Sequence, residues 1–420
     1  MHERNVNPHL LGLQILHEKS DLHAAGEFTI NQSRAYHDVG HFEVSTPEVT
    51  NAIDLVVWEK AGEKMVDWSR RKVEELYFGE ESELSILSLK NNTAPDGTSY
   101  GSHENYAVPR RLDFPDAFLR ELVPHFVTRM AYTGAGDLLD GRFVLSPTLY
   151  KTSYMISGNT MHGTGLLNTR DEPHADEKAW RRLHVIVGDA LFHEPAILLR
   201  HFTTQAILQL MAEGKLGDVP VLKSPLEDMW RCLEATNPDK WRFELKGGGT
   251  IALLDIQRYY LHKVETIVED DDERRTFKLW ERTLELLEGK KTRDLARIVE
   301  WIDRYLTIQE QKLKKPEDPE VEMRACKYYS EVGEDRGLYY RRQRNGLIDR
   351  VVTDEEVKRA IFTPPENTRA HLRREICDEF DVLNIDWSRV TVRTPTGLRT
   401  YVLDSPTESR LTDGTVSVAE

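Results

Sequence analysis

Three cysteines among 420 residues, Cys232, Cys326 and Cys377, lie far apart and form no C-x-x-C pair. That argues against a disulfide framework and against a thiolate metal centre, so a reducing cytoplasmic setting is expected. No run of about 18 apolar residues occurs, which excludes a helical membrane span. The opening MHERNVNPHLLGLQ lacks a basic stretch followed by an apolar one, and secretion is not expected. Neither GxxxxGK[ST] nor GxGxxG is present, so a nucleotide would not be held by a glycine-rich loop of those kinds. Basic charge is also short: the formal net charge is −15. A broad nucleic-acid footprint is therefore excluded, whereas a small nucleotide held by local arginines is not. An acidic partner would need a local basic groove.

The chain is 39% hydrophobic and 30% charged, ordinary for a globular protein, and long enough for one large domain and a smaller one. The expected division is 1–350 and 351–420, the second part a small α+β module with a frayed tail. Apolar spacing predicts a helix over Ala52–Leu76, helical structure over Phe114–Tyr132, and a helix over Ala196–Glu213. Mostly helical structure is expected from Ile251 to about Leu313, up to the charged linker KLKKPEDPEVE. Ser85–Lys90 and Leu183–Gly188 read as short strands, as do segments around Arg389–Val392 and Thr400–Leu403. Strands come in short groups without a βα rhythm, which favours α+β over a doubly wound α/β fold.

Three polar clusters stand out. In Ala35–Glu48 (AYHDVGHFEVSTPE), Asp38, Glu43 and Glu48 sit among alternating apolar residues; carboxylates on one sheet face would suit a hard divalent cation, and a solvated edge strand would explain them equally well. Asn91–Tyr106 (NNTAPDGTSYGSHENY) gathers His103, Glu104 and Asn105 behind a Gly-containing turn, a composition also common in plain loops. Asn168–His184 (NTRDEPHADEKAWRRLH) carries Arg170, Arg181 and Arg182, whose planar forks can neutralise a phosphate, beside Asp171, Glu172 and His174. A charged turn ahead of a buried strand would also account for it.

Together, NNTAPDGTSYGSHENY, NTRDEPHADEKAWRRLHVIVGD and RAYHDVGHFEVSTPE resemble the most characteristic segments of the Pup ligase and Pup deamidase (depupylase) family. TGAG at Thr133–Gly136, LDIQRYYL at Leu254–Leu261, RGLYYRRQRNGL at Arg336–Leu347 and PPENTRAHLRRE at Pro364–Glu375 extend the resemblance in order. It implies a glutamine-synthetase-like curved antiparallel sheet backed by helices, plus a small C-terminal domain. It implies ATP and Mg²⁺ as cofactors, a Pup-like small protein modifier and pupylated proteins as partners, and an indirect link to a bacterial proteasome. By resemblance Asp38 is the catalytic aspartate, Asn92, His103, Arg170 and Arg182 bind nucleotide, and Tyr36, Glu43 and His174 lie at the metal.

One departure concerns the family's opening strand, G-x-E-x-E-[FY]-G, whose glutamates hold Mg²⁺. Met1–Phe28 contains only the isolated Glu3, Glu18 and Glu27, so a start downstream of the family's own is expected. The string IDLVVWEKAGEKM, Ser102 in SYGSHENY and the STPE ending lean to the deamidase/depupylase branch; DVG after Tyr36 leans to the ligases. Two other readings remain open: a modifier-binding protein without catalysis, and a small-molecule carboxylate–amine ligase, against which the C-terminal PPENTRAHLRRE speaks.

Overall fold

The computed structural model describes residues 27–38, 41–79, 84–94, 98–159, 163–410 and 416–418. Glu3 and Glu18 lie outside the described residues. The first described elements are three antiparallel strands, β1 (Glu27–Phe28), β2 (Arg34–Asp38) and β3 (His41–Ser45). Helix α1 (Ala52–Val73) follows, started by Asn51, whose side-chain oxygen accepts the Asp54 amide at 2.8 Å. It buries Val56, Val57, Ala61 and Met65, the spacing of one apolar face, and runs on into a π turn over Glu74–Phe78.

The central sheet has the order β4-β9-β8-β7. It comprises β4 (Glu104–Pro109), β7 (Tyr154–Ser157), β8 (Gly165–Asn168) and β9 (Trp180–Val185); two short strands, β5 (Asp137–Leu139) and β6 (Arg142–Val144), form a separate hairpin. The expected antiparallel sheet is present with one departure, since β7 and β8 run parallel. Behind β4 lies α2 (Glu194–Ala212), buried almost all round, which packs on α1. A second short hairpin, β10 (Arg242–Glu244) with β11 (Thr250–Ala252), leads into α3 (Leu253–Val264), α4 (Asp271–Glu288) and α5 (Glu300–Lys314). The charged linker after α5 is a turn, for the next helix, Val321–Tyr329, folds back onto α5.

One sequence reading needs correction. Ser85–Lys90 is not a sheet strand: it makes one isolated bridge, Leu89 with Glu331, and Lys90 N–H donates to Ser330 O at 2.8 Å. Its backbone partners lie at the end of a helix, so the apolar run has no ladder to join. Phe114–Tyr132 is helical as expected, divided into three short helices (Asp116–Glu121, Val123–Thr128, Met130–Thr133), with Pro124 in the first turn of the second, where its missing N–H cannot continue the helix before it.

At the C-terminal end, α6 (Asp354–Ala360) packs against α1. Helix α7 (Arg369–Glu379) covers an antiparallel sheet of β12 (Asp381–Ile385), β13 (Arg389–Thr394), β14 (Gly397–Val402) and β15 (Val416–Val418). Ile376, Ile385, Val390, Val392 and Tyr401 form a cluster of their own, joined by Phe28 from β1. The division at residue 350 stands as a proposal: that cluster supports it, while Val357 and Ala360 belong to the large core. No helix among the described residues is long and apolar enough to cross a membrane.

Charges buried behind the sheet fix β4 in place. Arg129 donates to both oxygens of Glu104 at 2.5 and 3.0 Å, and Arg200 lies 4.0 Å from the same carboxylate. Arg200 also reaches Glu59 of α1 at 3.9 Å, and Lys90 bridges Glu59 and Glu63 at 2.8 Å each. Burial alone would raise Glu104 and Glu59, but the arginine and lysine charges outweigh it and hold both at about 2. Removing one partner strands the other in a dry interior. Arg129→Met is expected to cost about 3–5 kcal/mol of stability, read from the shift of a urea midpoint. With folded values depressed, these carboxylates stabilise above the unfolded pKa near 4.5 and lose that contribution as pH falls toward 2. The thermal midpoint of the protein should therefore drop steeply between those pH values, and a flat profile there would contradict the network.

Candidate functional site

Strand alternation sends Glu104 and Val108 of β4 into the core and leaves His103, Asn105 and Ala107 on the opposite, open face. In β9, Leu183 and Val185 face the core, so Arg182 and His184 share the open face. Register then sets His184 opposite Asn105, and Arg182 opposite Ala107. Arg182 Nε donates diagonally to Asn105 Oδ1 at 2.7 Å, and the His103 and His184 rings meet at 3.4 Å between nitrogens.

The β2–β3 hairpin supplies the acidic side. Tyr36 pairs with Glu43 and Asp38 with His41, which puts all four side chains on one face. Tyr36 Oη lies 3.3 Å from Ser45 Oγ, Arg34 covers the Tyr36 ring, and His41 packs on Tyr100 with centroids 4.4 Å apart. Burial pushes the Tyr36 phenol up to about 12, with Glu43 and Asp38 adding to the rise. Burial and Asp38 likewise raise Glu43. These oxygens thus sit in an excess of negative field, the chemistry of a hard divalent cation site. Residues Tyr36 and Glu43 fit Mg²⁺ in that respect; among the described residues no group of three His, Cys, Asp or Glu side chains forms a ready metal cage.

The two sides face each other. Asp38 is felt by the His103 ring and Tyr36 by the Arg182 guanidinium. His103 is pulled below the ordinary histidine value first by desolvation and then by Arg182. His184 is held at about 3 by burial, with Arg182, His103 and Arg170 reinforcing it. Both imidazoles are therefore neutral at physiological pH, able to accept as well as donate.

The loop between β8 and β9 brings the remaining charges. Arg170 is exposed, 3.4 Å from Glu172, with its amide donating to Asn168 Oδ1 at 2.8 Å. Asp171 is taken by Arg110, by Arg181 at 2.9 Å and by the Arg182 amide at 3.2 Å. His174 sits at a positive φ of 47°, with Asp386, Arg182, Arg369 and Glu172 as its charged neighbours.

Of the sequence-derived residues, Asp38, Tyr36, Glu43, His103, Arg170 and Arg182 gather around one open face. Asn92 is buried behind it, its amide bracing Ala190: Oδ1 accepts the Ala190 N–H at 2.6 Å and Nδ2 donates to the Ala190 carbonyl at 3.3 Å. Glu48 does not share the carboxylate face expected for it, because Arg369 and Arg373 hold it 2.6–2.8 Å away. Asn105, singled out beside His103 in the sequence, lies on this face, whereas Glu104 turns into the core. His184 was missed as a site residue, and the alternation of RRLHV carries the signal that would have found it.

Backbone crossing positions His103. Ser102 N–H donates to Gly188 O at 2.8 Å. A Cβ on Gly101 would lie 2.4 Å from Gly188 O, and one on Gly188 would lie 2.2 Å from Ser102 O, so neither place admits a side chain.

A family model described as Pup-ligase protein matches residues 9–391. A Pup–protein ligase of Sanguibacter keddieii is 34% identical over 364 residues, covering 83% of this chain and 79% of the relative. A depupylase of Acidothermus cellulolyticus is 33% identical over 395 residues, covering 89% and 76%. The solved structure of the Pup ligase PafA in complex with ADP superposes with a TM-score of 0.82 at 28% identity, over 98% of this chain and 93% of that one. The complex between Pup and its ligase PafA gives 0.85 at 27% identity, over 99% and 87%. The likeness carries the glutamine-synthetase-like fold expected from the sequence.

Site histidines offer a direct check. In imidazole NMR, His184 should stay neutral down to about pH 4, and Arg182→Met should move its titration upward; a midpoint near the unperturbed 6.5 would contradict the site electrostatics.

Proposed function

Because this chain belongs to the Pup-ligase family, we propose that it is an ATP- and Mg²⁺-using cytoplasmic enzyme acting on the C-terminal side chain of a Pup-like modifier, as a deamidase/depupylase. The observation that carries the reading is the placement of Asp38, on its hairpin, across from neutral His103 and cationic Arg182 on the open face of the central sheet. The cation would supply positive charge to polarise the reacting carbonyl, and the nucleotide would help to hold it. Tyr36 and Glu43 would hold the cation, and Arg170, Arg182 and His103 would line the phosphates.

Asp38 presents its carboxylate to the amide carbon of the modifier's terminal glutamine, or of the isopeptide-linked glutamate. It serves as nucleophile or as the base that aims a water. The C–N bond breaks, nitrogen leaves as ammonia or as the lysine amine, and a free carboxylate remains after water is taken up. Arg182 and the neutral imidazoles offset the charge that grows on the carbonyl oxygen.

The partner of the PafA structure, Pup, supports a modifier of that kind here. The ligase reading is second, favoured by the first relative and by both PafA structures. There Asp38 would take the proton of an incoming lysine, which attacks a glutamyl phosphate and expels phosphate.

An assay with ATP, Mg²⁺ and a Pup-like protein ending in Gln, and with a Pup conjugate, separates the branches. Ammonia release or conjugate cleavage is expected; conjugation to lysine with ADP formation would move the chain to the ligase branch. Asp38→Asn should abolish turnover, by at least about 10³-fold, while calorimetric ATP affinity stays near wild type. Arg170→Ala should weaken that affinity about tenfold, corresponding to ~1.4 kcal/mol. Surviving turnover in the first variant, or unchanged affinity in the second, would remove the role given to that residue.

A further inference from the structure

We propose that Glu48 is a positioning residue, a carboxylate gripped by two arginines of α7 that holds the Asp38 hairpin and the His174 loop in one arrangement. The proposal rests on the reading of Asp38 given above. Glu48 lies three residues past the end of β3, so whatever fixes it fixes one end of the hairpin. Arg373 grips it bidentately, at 2.8 Å to Oε1 and 2.7 Å to Oε2, and Arg369 Nε adds a bond of 2.6 Å to Oε1. Both arginines are almost wholly buried, and they stand one helical turn apart.

Their remaining donors reach other parts of the site's frame. Arg369 donates to the carbonyl of His174 and, at 3.0 Å, to that of Leu403. Arg373 donates to the Trp387 carbonyl at 2.8 Å and to Gln32 in the β1–β2 turn at 3.3 Å. A neighbouring backbone bond, Asp176 N–H to Asp404 O at 2.9 Å, ties the same loop to the C-terminal sheet. The acidic hairpin and the loop after β8 are separate in sequence, and this knot sets one relative to the other. Planar forks are required, because a lysine ammonium cannot satisfy two carboxylate oxygens and a carbonyl in fixed directions. A knot serving stability alone would change how long the protein stays folded. A positioning knot changes local opening of the two arms and turnover, with nucleotide affinity little altered.

Hydrogen exchange read by mass spectrometry separates these. In Glu48→Gln, amides of 34–38, 41–45 and 168–176 should exchange about tenfold faster while α4 stays unchanged. The kcat should fall about 10–100-fold with KM for ATP within about threefold, and Glu48→Asp should recover part of the loss. Asp303→Asn, which breaks a remote buried pair with Arg342, controls for general destabilisation. Arg369→Lys keeps the charge and loses the fork, and it carries the test should Glu48→Gln not fold; its accelerated exchange should fall on the same three segments. Unchanged exchange there, or equal acceleration in Asp303→Asn, would overturn the proposal. A wild-type chain with no turnover would instead sink the proposed function, and the exchange pattern would still decide the role of Glu48.

Discussion

The fold is organised around a buried carboxylate, Glu104, answered by Arg129 and Arg200 behind the central sheet. An unpaired charge there would be intolerable, so α2, which carries Arg200, and the junction of two short helices that carries Arg129 can pack in few ways relative to β4. Because side chains alternate along a strand, the orientation of Glu104 also dictates that of His103 and Asn105. The electrostatics of the core thus set the geometry of the opposite face. The same chain of pairs reaches α1 through Glu59 and Lys90, so the long helix behind the hairpin belongs to one electrostatic frame with the sheet.

The open face divides its charge. Asp38 and Glu43 come from a hairpin outside the central sheet, whereas Arg170 and Arg182 come from the sheet and the loop beside it. Holding charges of opposite sign on separate elements lets each side keep its field until a ligand of opposite charge arrives, which suits a phosphate anion and a divalent cation bound together. Two neutral imidazoles line the boundary between them, where a permanent charge of either sign would cancel one half of the site.

Much of this was legible in the sequence. Helices α1 and α2 follow from apolar spacing, because burial on one face or all round leaves a periodic trace, whereas the strand read at Leu183–Gly188 overlaps β9 only over Leu183–Val185. Asp38, His103 and Arg182 were singled out through motif resemblance; the register of β4 and β9 puts the last two on one face, and the β2–β3 hairpin brings Asp38 across from them. Ser85–Lys90 shows why the rest was hidden: a short apolar run looks like a strand whether its hydrogen bonds go to a ladder or to a helix end. Glu48 shows the same limit for charge. Its partners lie more than 300 residues away, and nothing local distinguishes a metal-facing carboxylate from one caught between two arginines.

The glycine pair at Gly101 and Gly188 carries an evolutionary consequence. Two segments distant in the chain, SYGSHE and VIVGDA, cross so closely that a single steric slot is shared between them. Neither position can drift to alanine while the other stays, and no compensating change of size exists, since glycine is already the smallest residue. Each glycine is thus required on its own account, since the atom it would strike is the other segment's backbone oxygen, which no substitution removes.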